Sequence, residues 1–495
     1  MGLKLSHSSY HRMSRIDRCG STCRLSCLLF SVLVCVGVSI RSVPWVFPQA
    51  KSVEGAAAAF PRIQRTELLN GLRVRVIERP GTVAVINLLV KAGSFAEARD
   101  KAGLANLTAQ SVCFANAKLP LQRWKDELEF LGARIEIRVT TDSTVFQAHV
   151  PSSNAEPVLA LLSRLVVRPE FESDSVDRIR SQPGSSRVAG SEDHAIARLQ
   201  LAELVFGRTG CGREEWATQH SMDALRLADV EAFHKAHYLP NNTALIVVGG
   251  PPMDRLGDFV REKFGGWIKS ELQPIEPTVI PMPARSVIRI VDRTASDALL
   301  LFGHSAPARQ TPDFFGLNLA NNLLVGLGKN SRLEQAFAKT NIPHQALRSD
   351  LELKQACGWF YISVRAPLSA VPAAVTAILE GIEDIKTRPV SESELSQAKA
   401  VLISSYQATL ETETGLAEQV TAIELFDLAR DFLASFPLRV EQVSAERVQE
   451  AAKNYLSSTQ ISGVIMGDRK TLTAGLADFR SFEILEPEGT GSEAR

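Results

Sequence analysis

Asn106 and Gln110 stand four residues apart in the stretch 101–114, where Leu104, Leu107 and Ser111 recur at helical spacing. On a helix, side chains four apart share a face. Two histidines so placed could hold one divalent metal ion, and a neighbouring carboxylate could act as base on a metal-bound water. Here the two positions carry carboxamides, which are poor zinc ligands beside imidazole, thiolate or carboxylate. Ala109, next to Gln110, has no group that could serve as a base. The stretch has the spacing of a zinc site without its donor atoms. The expectation is no bound metal and no catalytic residue at Asn106, Ala109 or Gln110.

Other chemistry-bearing residues are sparse. His234 and His237 lie three apart on a predicted helix, but zinc needs further ligands, and the pair reads as structural. His149 ends an alternating stretch and reads as an ordinary strand residue. The segment 326–331, Gly-Leu-Gly-Lys-Asn-Ser, resembles a phosphate loop but lacks the full G-x-x-x-x-G-K-[ST] spacing. No G-x-S-x-G motif supports a serine nucleophile.

The chain that must position these residues has 495 residues, enough for at least two domains. Its formal charge is zero, unevenly spread: residues 1–50 hold Lys4, Arg12, Arg15, Arg18, Arg24 and Arg41 against Asp17 alone. The body is therefore mildly acidic and offers no footprint for nucleic acid. A basic stretch ending at Arg24 precedes an apolar run, 25–40, short for a membrane span and suited to the core of an export signal. Residues 1–50 are expected to act as a cleaved signal peptide or as an uncleaved anchor through 25–40. Either way the chain is exported, to the periplasm or to a membrane. Of seven cysteines, Cys19, Cys23, Cys27 and Cys35 belong to this leader. Cys113, Cys211 and Cys357 are scattered and suggest no disulfide framework, and Cys113 reads as a small core residue.

After a linker, 51–65, the turn signal Asn70-Gly71 precedes an alternating strand at 72–77, and 83–90 is apolar enough for a central strand. Residues 121–131 and 155–167 read as helices, with a hairpin over 134–150 between them. Pro183-Gly184 breaks or shortens a helix predicted over 175–187, because proline costs about 3 kcal/mol in a helix interior. Helices follow at 194–205 and within 223–237, then a buried strand at 243–248. Four prolines within 270–286 mark a boundary. Beyond it strands are predicted at 287–291, 298–302, 359–364 and 461–466, and helices at 314–324, 370–385 and 392–410. Residues 230–249 can be laid on 448–467 without a gap, and Gly103-Leu104 falls on Gly316-Leu317. The expected fold is α+β, with two homologous α/β halves, 66–269 and 287–480, each an antiparallel-rich sheet packed by helices, and a tail over 481–495.

An ordered set of short markers gives the chain a family. They are Asn70-Gly-Leu-Arg-Val74, Lys91-Ala-Gly-Ser94, Gly103-Leu-Ala105, Asp142-Ser-Thr144, Phe206-Gly207, His237-Tyr-Leu-Pro-Asn-Asn242 and Phe264-Gly-Gly-Trp267. Gly303-His304, Pro312-Asp-Phe314 and Asn330-Ser-Arg-Leu333 continue the set. In order and spacing the chain resembles the pitrilysin or insulinase-like zinc metallopeptidases, which include mitochondrial processing peptidase. The resemblance implies two similar halves facing each other like a clam. Catalytic members carry H-x-x-E-H on the helix after Gly-Leu-Ala, where this chain has Asn106, Ala109 and Gln110. The third zinc ligand of the family falls in a region with no acid between Asp177 and Glu192, and its substrate-holding Arg/Tyr pair falls on Ala338 and Gln345.

The resemblance therefore implies a non-catalytic subunit that pairs with a zinc-bearing homologue to form a peptide-degrading or processing chamber, with zinc only in that partner. The alternatives are a stand-alone peptide-binding or structural protein of the periplasm, or an active metalloendopeptidase with atypical ligands. Family members add an unfolded peptide as an extra strand to an exposed sheet edge. Here the matching segment includes Ala133, Arg134, Ile135 and Glu136. Those residues form either a peptide-accepting edge or a solvated edge protected by its charges.

Overall fold

The computed structural model describes residues 60–98, 100–116, 120–181, 192–207, 210–212, 219–272, 280, 285–477, 479 and 482–485. The expected leader and the proline-broken segment 182–191 lie outside the described residues. Residues 59–495 form one compact unit.

Asn70 turns the chain at its first hairpin: its side-chain oxygen accepts from the Leu72 N–H at 3.2 Å, and Gly71 supplies the positive φ, +88°, that the turn requires. The first sheet holds β1 (Gln64–Glu67), β2 (Arg73–Ile77), β3 (Val83–Val90), β4 (Arg134–Val139), β5 (Thr144–Pro151) and β6 (Thr243–Val248). Their order is β1-β2-β6-β3-β5-β4. The second holds β7 (Ser286–Asp292), β8 (Asp297–Ala306), β9 (Gln345–Leu353), β10 (Gly358–Pro367), β11 (Ser462–Gly467) and β12 (Phe482–Leu485), in the order β12-β7-β11-β8-β10-β9. From the second strand to the last, the two orders correspond. The Leu227–His237 helix reappears as Ala445–Tyr455, displaced by the same 218 residues at both ends. The fold is the α+β pair of homologous halves expected.

The central strands are apolar on both faces because helices cover both faces. Ile86, Leu88 and Val247 pack against the first half's own helices, through Leu104, Leu107, Val158 and Leu162. Val85, Leu89, Ile246 and Val248 point the other way, into a core shared with Leu416, Ala417 and Val420 of the Glu413–Leu425 helix. That helix belongs to the second half of the sequence. The exchange is mutual: the Glu192–Phe206 helix of the first half lays Ala197, Leu201 and Val205 on Leu299, Leu301 and Val464 of the second sheet. Each sheet is finished by a helix from the other half, so the halves cannot separate without exposing two apolar faces.

Several details differ from the sequence reading. The sheets start and end outside the bounds read for them, with β1 beginning at Gln64 and β12 lying inside the expected tail. The helix predicted over 314–324 is regular only for Phe314–Asn321 and then widens into a π turn, Asn322–Gly326. The helices Met253–Phe264, Arg332–Lys339, Glu413–Leu425 and Phe432–Glu441, and strand β9, are not among the elements read from the sequence, although the first two are amphipathic. The reading that the body cysteines form no disulfide is corrected: Cys211 and Cys357 are joined. They are 146 residues apart. The helix exchange brings the turn after Glu192–Phe206 against the start of β10, a proximity that spacing alone does not encode. Cys113 is buried in the first core as expected, and burial pushes its thiol pKa far up.

Candidate functional site

Gly103 opens the Leu104–Phe114 helix at φ +90°. Glu97, buried in the preceding loop, caps that helix end: its two carboxylate oxygens accept from the N–H groups of Ala105 at 2.8 Å and Gly103 at 3.1 Å. A carboxylate there satisfies orphan donors and suits the positive end of the helix dipole. The helix buries Leu104, Ala105, Leu107, Thr108, Ala109, Ser111, Val112 and Cys113. Asn106 and Gln110 share its half-buried face, as the spacing required, and the Gln110 amide donates to the Asn106 carbonyl oxygen at 3.2 Å. The two groups that would face a metal thus bond to each other. Ala109 has no exposed surface and sits in the apolar core. Among the described residues no group of three or more histidine, cysteine, aspartate or glutamate side chains could hold a metal ion. The residues present do not fit zinc. The expected third-ligand region lies outside the described residues.

Beside this helix lies β4, the terminal strand of its sheet. It pairs with β5 in unbroken register from Arg134 to Val139, and its other edge has no strand among the described residues. Ala133, Ile135, Ile137 and Val139 pack against the first core. Arg134 pairs with Glu136 at 3.0 Å, and Arg138 reaches Glu418 of the crossing helix at 3.0 Å. The four expected edge residues are therefore contiguous and regular. The corresponding edge of the second sheet is not: β9 shifts register opposite Ser363–Arg365, and Ala346 there has φ +53°. A left-handed alanine costs roughly 1 kcal/mol, and the bulge it makes breaks the row of edge donors. Beyond that bulge β9 pairs regularly with β10 from Arg348 to Leu353, so β4 differs from it in having no bulge. Ala338 and Gln345, the positions of the missing Arg/Tyr pair, are both exposed, the first on the Arg332–Lys339 helix and the second at the start of β9.

The hairpin that carries β4 is latched to the other half. Asp142 accepts from the Gln355 N–H at 2.8 Å, and the Lys354 ammonium donates to the Thr141 hydroxyl at 2.8 Å. Burial raises the Asp142 carboxyl pKa, opposed by that N–H and by Lys354. A buried ladder ties the crossing helix down: the Gln147 amide donates to the Asn87 carbonyl, and the Asn87 amide to the Thr421 hydroxyl, each at 3.0 Å. Arg75 holds Glu424 through both carboxylate oxygens. Nearby, Arg73 and Lys91 each reach Asp427 at 2.9 Å and line a cleft of about 570 Å³ with His237, Gln355 and Phe426. Arg73, Lys91 and His237 fall within the short markers read from the sequence, but the pairing of Arg73 and Lys91 with Asp427 depends on the helix exchange.

His234, His237 and His304 make contacts within the folded chain. His234 bonds the Val166 carbonyl at 3.0 Å and stacks on Tyr238 at 4.7 Å, while His237 lies over Phe233. His304 accepts the Ser457 N–H at Nε2 and donates from Nδ1 to its neighbour's carbonyl, which fixes the neutral tautomer. Burial lowers both His234 and His304 to about 4.

Two paired sheets that exchange helices, with a degenerate metal position on the first, define a two-domain peptidase-like architecture. The family model for the insulinases, peptidase family M16, matches residues 73–214, and the model described as the peptidase M16 inactive domain matches 224–402. The chain belongs to this family. It is 24% identical to an uncharacterised zinc protease of Mycobacterium tuberculosis over 416 residues, covering 83% of this chain and 94% of the relative. It is 22% identical to the beta subunit of the Bos taurus mitochondrial-processing peptidase, over 85% of this chain and 88% of that subunit. Its fold matches the crystal structure of a peptidase M16 inactive domain from Pseudomonas fluorescens with a TM-score of 0.72 and 22% identity, covering 82% of this chain and 98% of that one.

Proposed function

We propose that this chain is a non-catalytic family member that pairs with a zinc-bearing homologue and helps hold an extended peptide in a shared chamber. The observation that carries this is the Leu104–Phe114 helix itself. It keeps the fold of a metal-bearing helix but presents a carboxamide pair bonded to itself and a core alanine where a base would stand. A chain so built offers no group to activate water, yet retains a regular edge strand beside the same helix. Likeness to a solved inactive domain is consistent with this, and relatives named as zinc proteases supply the kind of partner required. The test is purification of the native protein with whatever accompanies it. A homologue bearing H-x-x-E-H should co-purify, and its peptidase activity should fall when this chain is removed. A native protein that runs alone, and leaves such a homologue's activity unchanged when added back, would refute the pairing.

The open β4 edge also favours a second reading, a stand-alone peptide-binding protein, since that edge needs no partner to accept a strand. An active enzyme with atypical ligands has no such support. Export to the periplasm or a membrane is part of the proposal. It rests on the basic-then-apolar leader and on the Cys211–Cys357 bond, which persists in oxidising compartments. Full-length chain found in the cytoplasm with both cysteines reduced would contradict it.

A further inference from the structure

Arg309 carries a guanidinium that no carboxylate balances. The residue follows β8, and its backbone N–H donates to the Lys354 carbonyl at 2.8 Å, which fixes where its side chain starts. The guanidinium carbon lies 3.5 Å from the ring centre of Phe314, 5.4 Å from that of Phe432 and 5.7 Å from that of Phe426. Among the described residues nothing accepts a hydrogen bond from this side chain. The acids close by are already held: Asp427 by Arg73 and Lys91, and Asp431 by Arg439. Burial lowers the Arg309 pKa only to about 10, so the group is a cation at neutral pH.

The rings do not replace an anion. Cation–ring attraction contributes about 0.5–2 kcal/mol and covers the faces of the guanidinium, leaving the in-plane N–H groups to find acceptors. Arg309 lines a cleft of about 370 Å³ together with Phe314, Phe315 and Phe432, with Arg439 also in its wall and Asp427 shared with the larger cleft. A planar fork of donors at one end and aromatic walls along the rest is complementary to a planar anion on a hydrocarbon group.

We propose that this cleft binds a carboxylate carried on an apolar body, with the carboxylate taken by the Arg309 fork and the hydrocarbon by Phe314, Phe315 and Phe432. The C-terminus of a peptide ending in an apolar residue has this chemistry, and so does a medium-chain aliphatic acid. The site needs no zinc-bearing partner and no use of the β4 edge, so it stands or falls separately from the function proposed above.

The test uses the purified full chain and three probes: acetyl-Ala-Ala-Phe as the free acid, the same peptide as its C-terminal amide, and decanoate. Calorimetric titration should show the acid binding roughly 10-fold or more tighter than the amide, the effect of one charge-assisted contact. Arg309→Gln should bring that ratio to about one. Arg309→Lys, which keeps the charge and the ring contact, guards against a misfolded first variant and should lower the ratio several-fold through loss of the fork. Binding of decanoate with the same Arg309 dependence, without the peptide, supports the anchor and assigns the occupant as an aliphatic acid. Equal binding of acid and amide by the wild-type chain, discrimination that survives Arg309→Gln, or no binding of the peptide acid or decanoate would each overturn the proposal.

Discussion

Replacing Cys211 and Cys357 together by alanine should lower the melting temperature by about 2–5 °C, through loss of a covalent tie between the halves. The bond closes a loop of 146 residues, running from the turn after the Glu192–Phe206 helix to the start of β10. Chain-entropy arguments give about 5 kcal/mol for a loop of this length, and measured bonds typically contribute about 2–4 kcal/mol. Residues 59–495 form one compact unit, so the loss acts on a single large transition. With an unfolding entropy of about 2 cal/mol/K per residue, a unit of this size converts roughly 1 kcal/mol into about 1 °C. The cysteines lie in a buried cluster with Phe206, Leu299 and Trp359, so the smaller side chains leave a gap whose effect has the same sign. The assay is a thermal melt of wild type and double variant, each with and without reductant. Alkylation of the unreduced, denatured wild type with peptide mapping accompanies it. Only the wild type should respond to reductant, and Cys113, buried and free, should alkylate once the chain unfolds. Coincident wild-type melts with and without reductant, or alkylation of Cys211 and Cys357 without reduction, would refute the reasoning.

Acid should weaken the fold before it protonates most carboxylates. His234 and His304 stay neutral down to about pH 4 in the folded chain but protonate near 6.5 when it unfolds. Their folded pKa values are depressed, so this stability is complete above about pH 6.5 and is lost as pH falls toward 4, on the order of 3 kcal/mol for each. Denaturant midpoints that hold constant between pH 7 and 4.5 would contradict this. Metal analysis after mild dialysis should find well under one zinc per chain, and one tightly held zinc would sink the reading of Asn106 and Gln110. Restoring Asn106→His, Ala109→Glu and Gln110→His together should still give no peptidase activity, and the glutamate forced into the core at position 109 should destabilise the fold. The Thr140 N–H bonds the Ser143 carbonyl, so by alternation along the ladder the Ile135 N–H faces the open edge and the Glu136 N–H faces β5. Ile135→Pro removes one main-chain donor from that edge and should weaken binding of an unfolded peptide several-fold, about the effect of one hydrogen bond. Unchanged affinity in a well-folded Ile135→Pro protein would leave β4 as a solvated edge only.

Much of the fold was legible because its signals are local. Alternation at 72–77, the apolar runs at 83–90 and 243–248, and the capping box of Ser391 with Glu394 each depend on neighbours within a few residues. The internal repeat was legible for the same reason: two copies of one helix–turn–strand pattern keep their spacing. Strand β9 was not, because an edge strand with a bulge at Ala346 neither alternates cleanly nor buries a continuous face. The lack of zinc donors at Asn106, Ala109 and Gln110 was also open to sequence reading, since carboxamides and an alanine lack them whatever surrounds them.

What the sequence by itself determined is therefore most of the elements, their duplication and the missing donor atoms at Asn106, Ala109 and Gln110, all properties of residue type and short-range spacing. Tertiary structure alone decided which helix covers which sheet. The Glu192–Phe206 and Glu413–Leu425 helices bury apolar faces that could in principle pack on either sheet, and only the exchange leaves no apolar face uncovered. From that exchange follow the Cys211–Cys357 bond and the Asp142 latch, each made by residues distant in the chain. Hydrophobic burial is strong but non-directional. It tells from sequence that a face must be covered, and only the folded chain shows by what.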